Sequence, residues 1–177
     1  LWARAFKFGN LVLQVADMFV DASGDLIGVA YFETGVISNV KSVSFRYNIT
    51  SNSFQWIKFY NSVYYTNIHS LNATDCVMTG TTNEGFTILT RIGKNNGSVS
   101  GYNLEGEKGD FASTVYNGKL YGTCRRYYNA SGDFRAAVFA HDLNSGAFQW
   151  QNAIISKGNT SISTETRMYP VKPVVDD

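Results

Sequence analysis

Charge is scarce in this sequence. Asp, Glu, Lys and Arg make up 16% of its 177 residues, where about 25% is usual, and they nearly cancel to a net charge of +1. So neutral a surface has no field with which to hold a polyanion, and nucleic acid is not expected as a partner. Proline is limited to two residues, which removes collagen-like and Pro-rich linker classes. Two cysteines, Cys76 and Cys124, are too few for a disulfide scaffold and too far apart for a zinc-type pair. There are two histidines, His69 and His141, and they stand about seventy residues apart. No apolar run reaches the roughly 18–20 residues of a membrane span, and neither a Gly-rich phosphate loop nor a Gly-x-Ser-x-Gly elbow occurs. No metal, cofactor or membrane span is therefore expected.

What the chain has in quantity is aromatic residues, 15% of the total with 11 Tyr and 12 Phe. They sit in short apolar stretches broken by Gly, Asn, Asp and Ser, the pattern of hairpin-connected antiparallel strands, and the expected class is all-β.

An internal repeat organises these strands. Trp2, Trp56 and Trp150 stand in related contexts, as in Phe54-Gln55-Trp56 and Phe148-Gln149-Trp150, and the last two lie 94 residues apart, two units of 47. Aligning Asn96-Gly97-Ser98 with Asn144-Ser145-Gly146 puts Gly101 in the Trp slot of the intervening copy. A turn followed by an apolar strand recurs as Asp21-Ala22-Ser23-Gly24-Asp25-Leu26-Ile27-Gly28, Asn72-Ala73-Thr74-Asp75-Cys76-Val77-Met78-Thr79-Gly80 and Asn117-Gly118-Lys119-Leu120-Tyr121-Gly122. A third strand carries a basic or imidazole residue at Arg46, Arg91 and His141. Each period of about 49 residues reads as four strands, and four-stranded sheets apolar on both faces must stack on one another.

The turn string at Asp21–Gly28, the strand bearing a basic residue and the aromatic strand ending in Trp56-x-x-Phe59 resemble the β-propeller repeat family (SBBP type) of secreted proteins. The resemblance implies a partial propeller of about three and a half four-stranded antiparallel blades. Residues 1–9 would be the outer strand of a preceding blade, 10–62 blade one, 63–106 blade two, 107–156 blade three, and 157–177 the start of a further blade and a tail. Closed propellers use about 4–8 blades. The ring is thus expected to be completed either by a longer polypeptide or by another copy pairing through its strand edges.

Asn-x-Ser/Thr sequons occur at Asn48, Asn72, Asn96, Asn129 and Asn159, each in a stretch read as a turn, where a glycan projects without disturbing a ladder. They predict a secreted or cell-surface glycoprotein. Alternation of hairpins would put Asn48, Asn72 and Asn96 on one side and Asn129 and Asn159 on the other. Parity along the strands points Cys76 and Cys124 the same way round, so both are expected unpaired.

Candidates for chemistry are few. His69 and His141 read as structural residues in non-equivalent repeat slots, and Asp21 to Asp25 as a hairpin turn, because a calcium loop needs a distal Glu that is absent. Glu105-Gly106-Glu107-Lys108-Gly109-Asp110 reads as a solvated acidic loop. Arg125, Arg126, Tyr127 and Tyr128 interleave cations with rings and are candidate ligand-binding residues for a sugar or anion. The expected function is that of a non-enzymatic, N-glycosylated extracellular module within a larger assembly or filament, with copies of itself or other chains as partners. The alternatives are a carbohydrate- or ligand-binding propeller, and a fragment of a quinoprotein- or glycosidase-type enzyme.

Overall fold

The computed structural model describes residues 7–8, 11–32, 40–83, 86–108, 111–128, 133–145 and 148–155. Their strands are β1 (Lys7–Phe8), β2 (Leu11–Val20), β3 (Leu26–Phe32), β4 (Val40–Asn48), β5 (Ser53–Asn61), β6 (Val63–Ser70), β7 (Asp75–Thr82), β8 (Phe86–Gly93), β9 (Val99–Lys108), β10 (Phe111–Tyr116), β11 (Lys119–Tyr128), β12 (Asp133–Asp142) and β13 (Phe148–Ile155). They form three antiparallel sheets in plain sequence order, β1 to β5, β6 to β9 and β10 to β13. No helix among the described residues is long and apolar enough to cross a membrane.

The tight turns follow from residue chemistry. Asp21 Oδ1 accepts from the Ser23 and Asp25 amides at 2.8 and 3.0 Å, and Gly24 supplies the positive φ of 85° that closes the loop. Asn117 and Gly118 turn β10 into β11 with φ of 47° and 71°, as a two-residue hairpin requires. Of the stretch Leu1–Phe8 the described part is Lys7–Phe8, which pairs with β2 and so lengthens the first sheet. The start of a further blade expected over residues 157–177 lies outside the described residues, as does Trp2.

Alternation splits each sheet into two faces. In the first, cross-strand rows Val20–Leu26–Tyr47–Phe54, Met18–Gly28–Phe45–Ile57 and Val15–Ala30–Val43–Phe59 form one continuous apolar face. The opposite face holds Ile27, Val29 and Trp56, which are buried in a cluster with Tyr65, Ile68, Cys76, Met78 and Ile92 of the second sheet. The other face of the second sheet places Val77 and Leu89 against Leu120, Phe139 and Leu143 of the third. Neighbouring residues Val77 and Met78 therefore serve different interfaces. Each fully buried aliphatic side chain contributes about 1.5–3 kcal/mol.

The sheets are related residue by residue. Asp25 pairs with Arg46, which stands opposite Ile27, and Asp75 pairs with Arg91, which stands opposite Val77. Strands β2 and β6 skip one residue at the same point: Val15 and Asp17 face Ala30 and Val29 across a bulge at Ala16, and Tyr65 and Asn67 face Gly80 and Thr79 across one at Thr66. Strands β5 and β13 share another bulge. Phe54 and Trp56 face Tyr47 and Arg46, and Phe148 and Trp150 face His141 and Ala140, with Gln55 and Gln149 unpaired in the ladder.

These registers correct three expectations. The Trp slot of the second sheet, opposite Arg91, holds Ser100 and not Gly101. His141 does not occupy the Arg46 position; Ala140 does, because Ala140 faces Trp150 as Arg46 faces Trp56, and His141 matches Tyr47. The acidic segment is no free loop up to Lys108, since β9 runs that far and pairs Lys108 with Phe86.

Candidate functional site: a turn-bearing rim and an apolar sheet face

The polar residues of the first two sheets converge on one rim, where the β2–β3, β4–β5, β6–β7 and β8–β9 turns lie. Arg46 is its hub. Its Nε donates to Asp25 Oδ2 at 2.8 Å, Nη2 donates to Ser23 Oγ at 2.9 Å and lies 3.1 Å from Asp21 Oδ2, and Nη1 donates to Lys94 O and Asn95 Oδ1 at 3.1 Å. The planar guanidinium thus holds the β2–β3 turn and reaches across to the β8–β9 turn of the next sheet, a geometry an ammonium cannot reproduce. Trp56 Nε1 donates to the same Lys94 carbonyl at 2.8 Å, so the buried indole is polar-satisfied at the sheet junction.

Lys94 is itself buried. Its Nζ donates to Ser70 Oγ at 2.7 Å and Asn72 O at 2.6 Å and lies 5.6 Å from the Phe19 ring centroid, which ties the β8–β9 turn to the β6–β7 turn and to β2. Burial works to raise the Asp21 carboxyl, but the Ser23 and Asp25 hydrogen bonds and Arg46 outweigh it and hold it below the ordinary carboxylate range. Arg91 does the same for Asp75 by direct hydrogen bonding.

Three predicted glycosylation residues lie at this rim. Asn48 is half-buried at the end of β4; its Nδ2 donates to Asp25 Oδ1 at 2.7 Å and its Oδ1 accepts from the Ser51 amide at 2.6 Å. Asn72 is exposed and caps its turn through Oδ1, with Nδ2 3.3 Å from Asp75 Oδ2. Asn96 is exposed and its Oδ1 accepts from the Ser98 amide at 2.9 Å. Asn129 and Asn159 lie outside the described residues.

The other predicted residues are dispersed. His69 and Ser113 meet between the second and third sheets, Nε2 to Oγ at 2.9 Å, and Thr79 Oγ1 lies 2.9 Å from the same Ser113 oxygen; all three are buried. Asn67 Oδ1 is buried without a hydrogen-bond partner. His141 is buried, and its Nδ1 donates to Asp142 O at 3.1 Å. Cys76 is a free thiol, buried, donating weakly to Ile92 O, and burial pushes it up to about 12. The backbone of Cys124 pairs with Ala137, and Arg125, Arg126, Tyr127 and Tyr128 continue β11 opposite Ala136, Arg135, Phe134 and Asp133. Lys94 and Ser113 were not singled out by sequence; a lysine after a strand and a serine within one carry no motif.

The apolar face of the first sheet is the second feature. Its central members Ala30, Val43 and Phe45 are buried, whereas on β2 and β5 Met18 is 51%, Val20 61% and Phe59 50% exposed. Leu13, Val15, Ala30, Val43, Phe45, Phe54 and Ile57 line a shallow hollow in it.

No protein-family model and no curated protein matches the sequence. Among solved structures, the chain is similar to cobalt-substituted ACO of Synechocystis, with a TM-score of 0.48 and 7% identity over 81% of this chain. The chain spans 39% of that structure's length. The expectation of a non-enzymatic chain is withdrawn, and a likeness at this level assigns no activity in its place.

Proposed function

We propose that the chain is an N-glycosylated extracellular module of the β-propeller-repeat type, secreted or held at the cell surface, that builds a larger assembly with copies of itself. The observation that carries this reading is the equivalence of successive sheets. The apolar face of the first sheet corresponds, position by position, to the face of the second sheet that receives a neighbour. Val15 matches Tyr65, Met18 matches Ile68, and Leu26 matches Cys76, each pair fixed by its register to the next strand. A face built to be packed by another sheet of the same kind, with Met18, Val20 and Phe59 exposed on β2 and β5, fits a second copy of the chain. Stacking of three sheets about β2, β6 and β10 supports the propeller arrangement, and the turn-bearing rim, rich in Asn and Ser, supports an extracellular glycan-bearing side.

The test is the mass in solution of the unglycosylated chain, by light scattering after size exclusion. A multiple of 19.6 kDa that falls to the single-chain mass on Met18→Asp with Val20→Asp, at unchanged β-sheet circular dichroism, is the expected result. A wild-type chain that stays at 19.6 kDa at all concentrations contradicts the assembly.

A further inference from the structure

Three sequons share one rim, yet their asparagines are not chemically equivalent. We infer that the folded protein carries an N-linked oligosaccharide at Asn96 and none at Asn48, which serves instead as a structural anchor for Asp25. The inference rests on the glycoprotein reading above.

The linkage forms when the side-chain amide nitrogen attacks the anomeric carbon of an oligosaccharide diphospho-lipid donor. The new N–C bond replaces the C–O bond to the diphosphate, which leaves with the electron pair, and the amide gives up one proton. Afterwards the nitrogen keeps one hydrogen and holds a bulky, hydrated sugar that needs open solvent.

Asn96 meets this need. It stands in the β8–β9 turn, exposed, and its conformation is set through the other end of the amide, where Oδ1 accepts from the Ser98 N–H. The turn is closed independently by Gly93 N donating to Ser98 O and by Gly97 N donating to Gly93 O, with Gly97 at φ 64°. Gly97 is buried against Trp56 and Lys58, while Asn96 beside it is exposed. A sugar on its nitrogen disturbs none of these contacts.

Asn48 does not meet it. It is half-buried, and its nitrogen lies 2.7 Å from a carboxylate whose side chain is only 7% exposed and is clamped on its other oxygen by Arg46. Asn48 Oδ1 is simultaneously fixed by the Ser51 amide, so the side-chain amide cannot swing outward without losing both bonds. A sugar there must enter the space between Asp25, Asn48 and the β4–β5 turn, and an unpaired Asp25 carboxylate would remain beneath it. Chains modified at Asn48 before folding are therefore selected against during maturation.

The experiment is site-resolved glycopeptide mass spectrometry on the chain secreted from a eukaryotic host, with Thr50→Ala and Ser98→Ala run in parallel. Each variant destroys one sequon and leaves its asparagine in place. Asn96 occupied and Asn48 bare is expected, with Ser98→Ala removing one glycan and Thr50→Ala leaving glycan content and secreted yield unchanged. Occupied Asn48 in folded, secreted protein overturns the inference, as does bare Asn96. If Asn96 is bare but Asn72 is modified, the glycoprotein reading survives; if every sequon is bare, it fails too.

Discussion

Arg46 reaches back across the first sheet to Asp25, Nε to Oδ2 at 2.8 Å, from a ladder position opposite Ile27. The pair lies mostly out of solvent, with side chains 13% and 7% exposed. Removing the guanidinium leaves Asp25 uncompensated and strips the β2–β3 turn of its link to Lys94 O and Asn95. Arg46→Ala should cost about 3 kcal/mol, toward the lower end for a buried pair because some water reaches it. Arg46→Lys should recover less than half of that, since an ammonium cannot bridge four acceptors in a plane. Urea midpoints of the three proteins check this. A loss below about 0.5 kcal/mol for Arg46→Ala would mean that the rim network does not bind the sheets together.

Two glycines should respond to alanine for different reasons. At Gly80 an added Cβ would fall 1.9 Å from the Tyr64 carbonyl oxygen, which is backbone held in the β6–β7 ladder, so the strands must separate. Gly80→Ala should cost about 3 kcal/mol or more. At Gly24 nothing lies within 4 Å, and only the φ of 85° is strained by a side chain. Gly24→Ala should cost about 1–2 kcal/mol. Thermal melts of both variants would contradict the β6–β7 register if Gly80→Ala were the milder change.

Acid should act through the rim carboxylates. Asp21 and Asp75 both have folded-state values below the ordinary 3.8, so the stability they supply is present above that value and is lost as the pH falls through the lower folded value. The urea midpoint should hold from pH 6 to about 4.5 and then drop steeply toward pH 2. Asp75→Asn should start lower and show a shallower drop. An equal slope in wild type and variant would remove Asp75 from the account.

The sequence shows the strands and turns plainly, because Asn117-Gly118 and the Asp21-to-Asp25 turn punctuate alternating apolar runs. It shows the repeat as well, through Phe54-Gln55-Trp56 and its copy. It hides the bulges. By simple alternation Phe54 and Trp56 share a face, whereas the unpaired Gln55 sends Phe54 to Tyr47 and the apolar face and Trp56 to Arg46 and the second sheet. The same shift displaces the Trp slot from Gly101 to Ser100 and the basic slot from His141 to Ala140. A bulge costs one residue of register and has no composition of its own.

The site was legible only in part for a related reason. Asp25 and Arg46 are 21 residues apart and Asp75 and Arg91 are 16 apart, so no fixed spacing announces a common pair. Lys94 acts through its carbonyl as much as its ammonium, and a backbone acceptor leaves no mark in sequence. The sequons were visible as a motif, while the difference between Asn48 and Asn96 exists only once Asp25 is folded beneath one of them.

The central claim is that the second sheet faces a neighbour on both sides, and adjacent residues Val77 and Met78 test it most directly. In a methyl-labelled sample, nuclear Overhauser contacts should join Met78 to Ile27 or Val29 of the first sheet and Val77 to Leu120 of the third. Contacts from both residues to one and the same sheet, or none from Val77 to Leu120, would contradict the stacked arrangement.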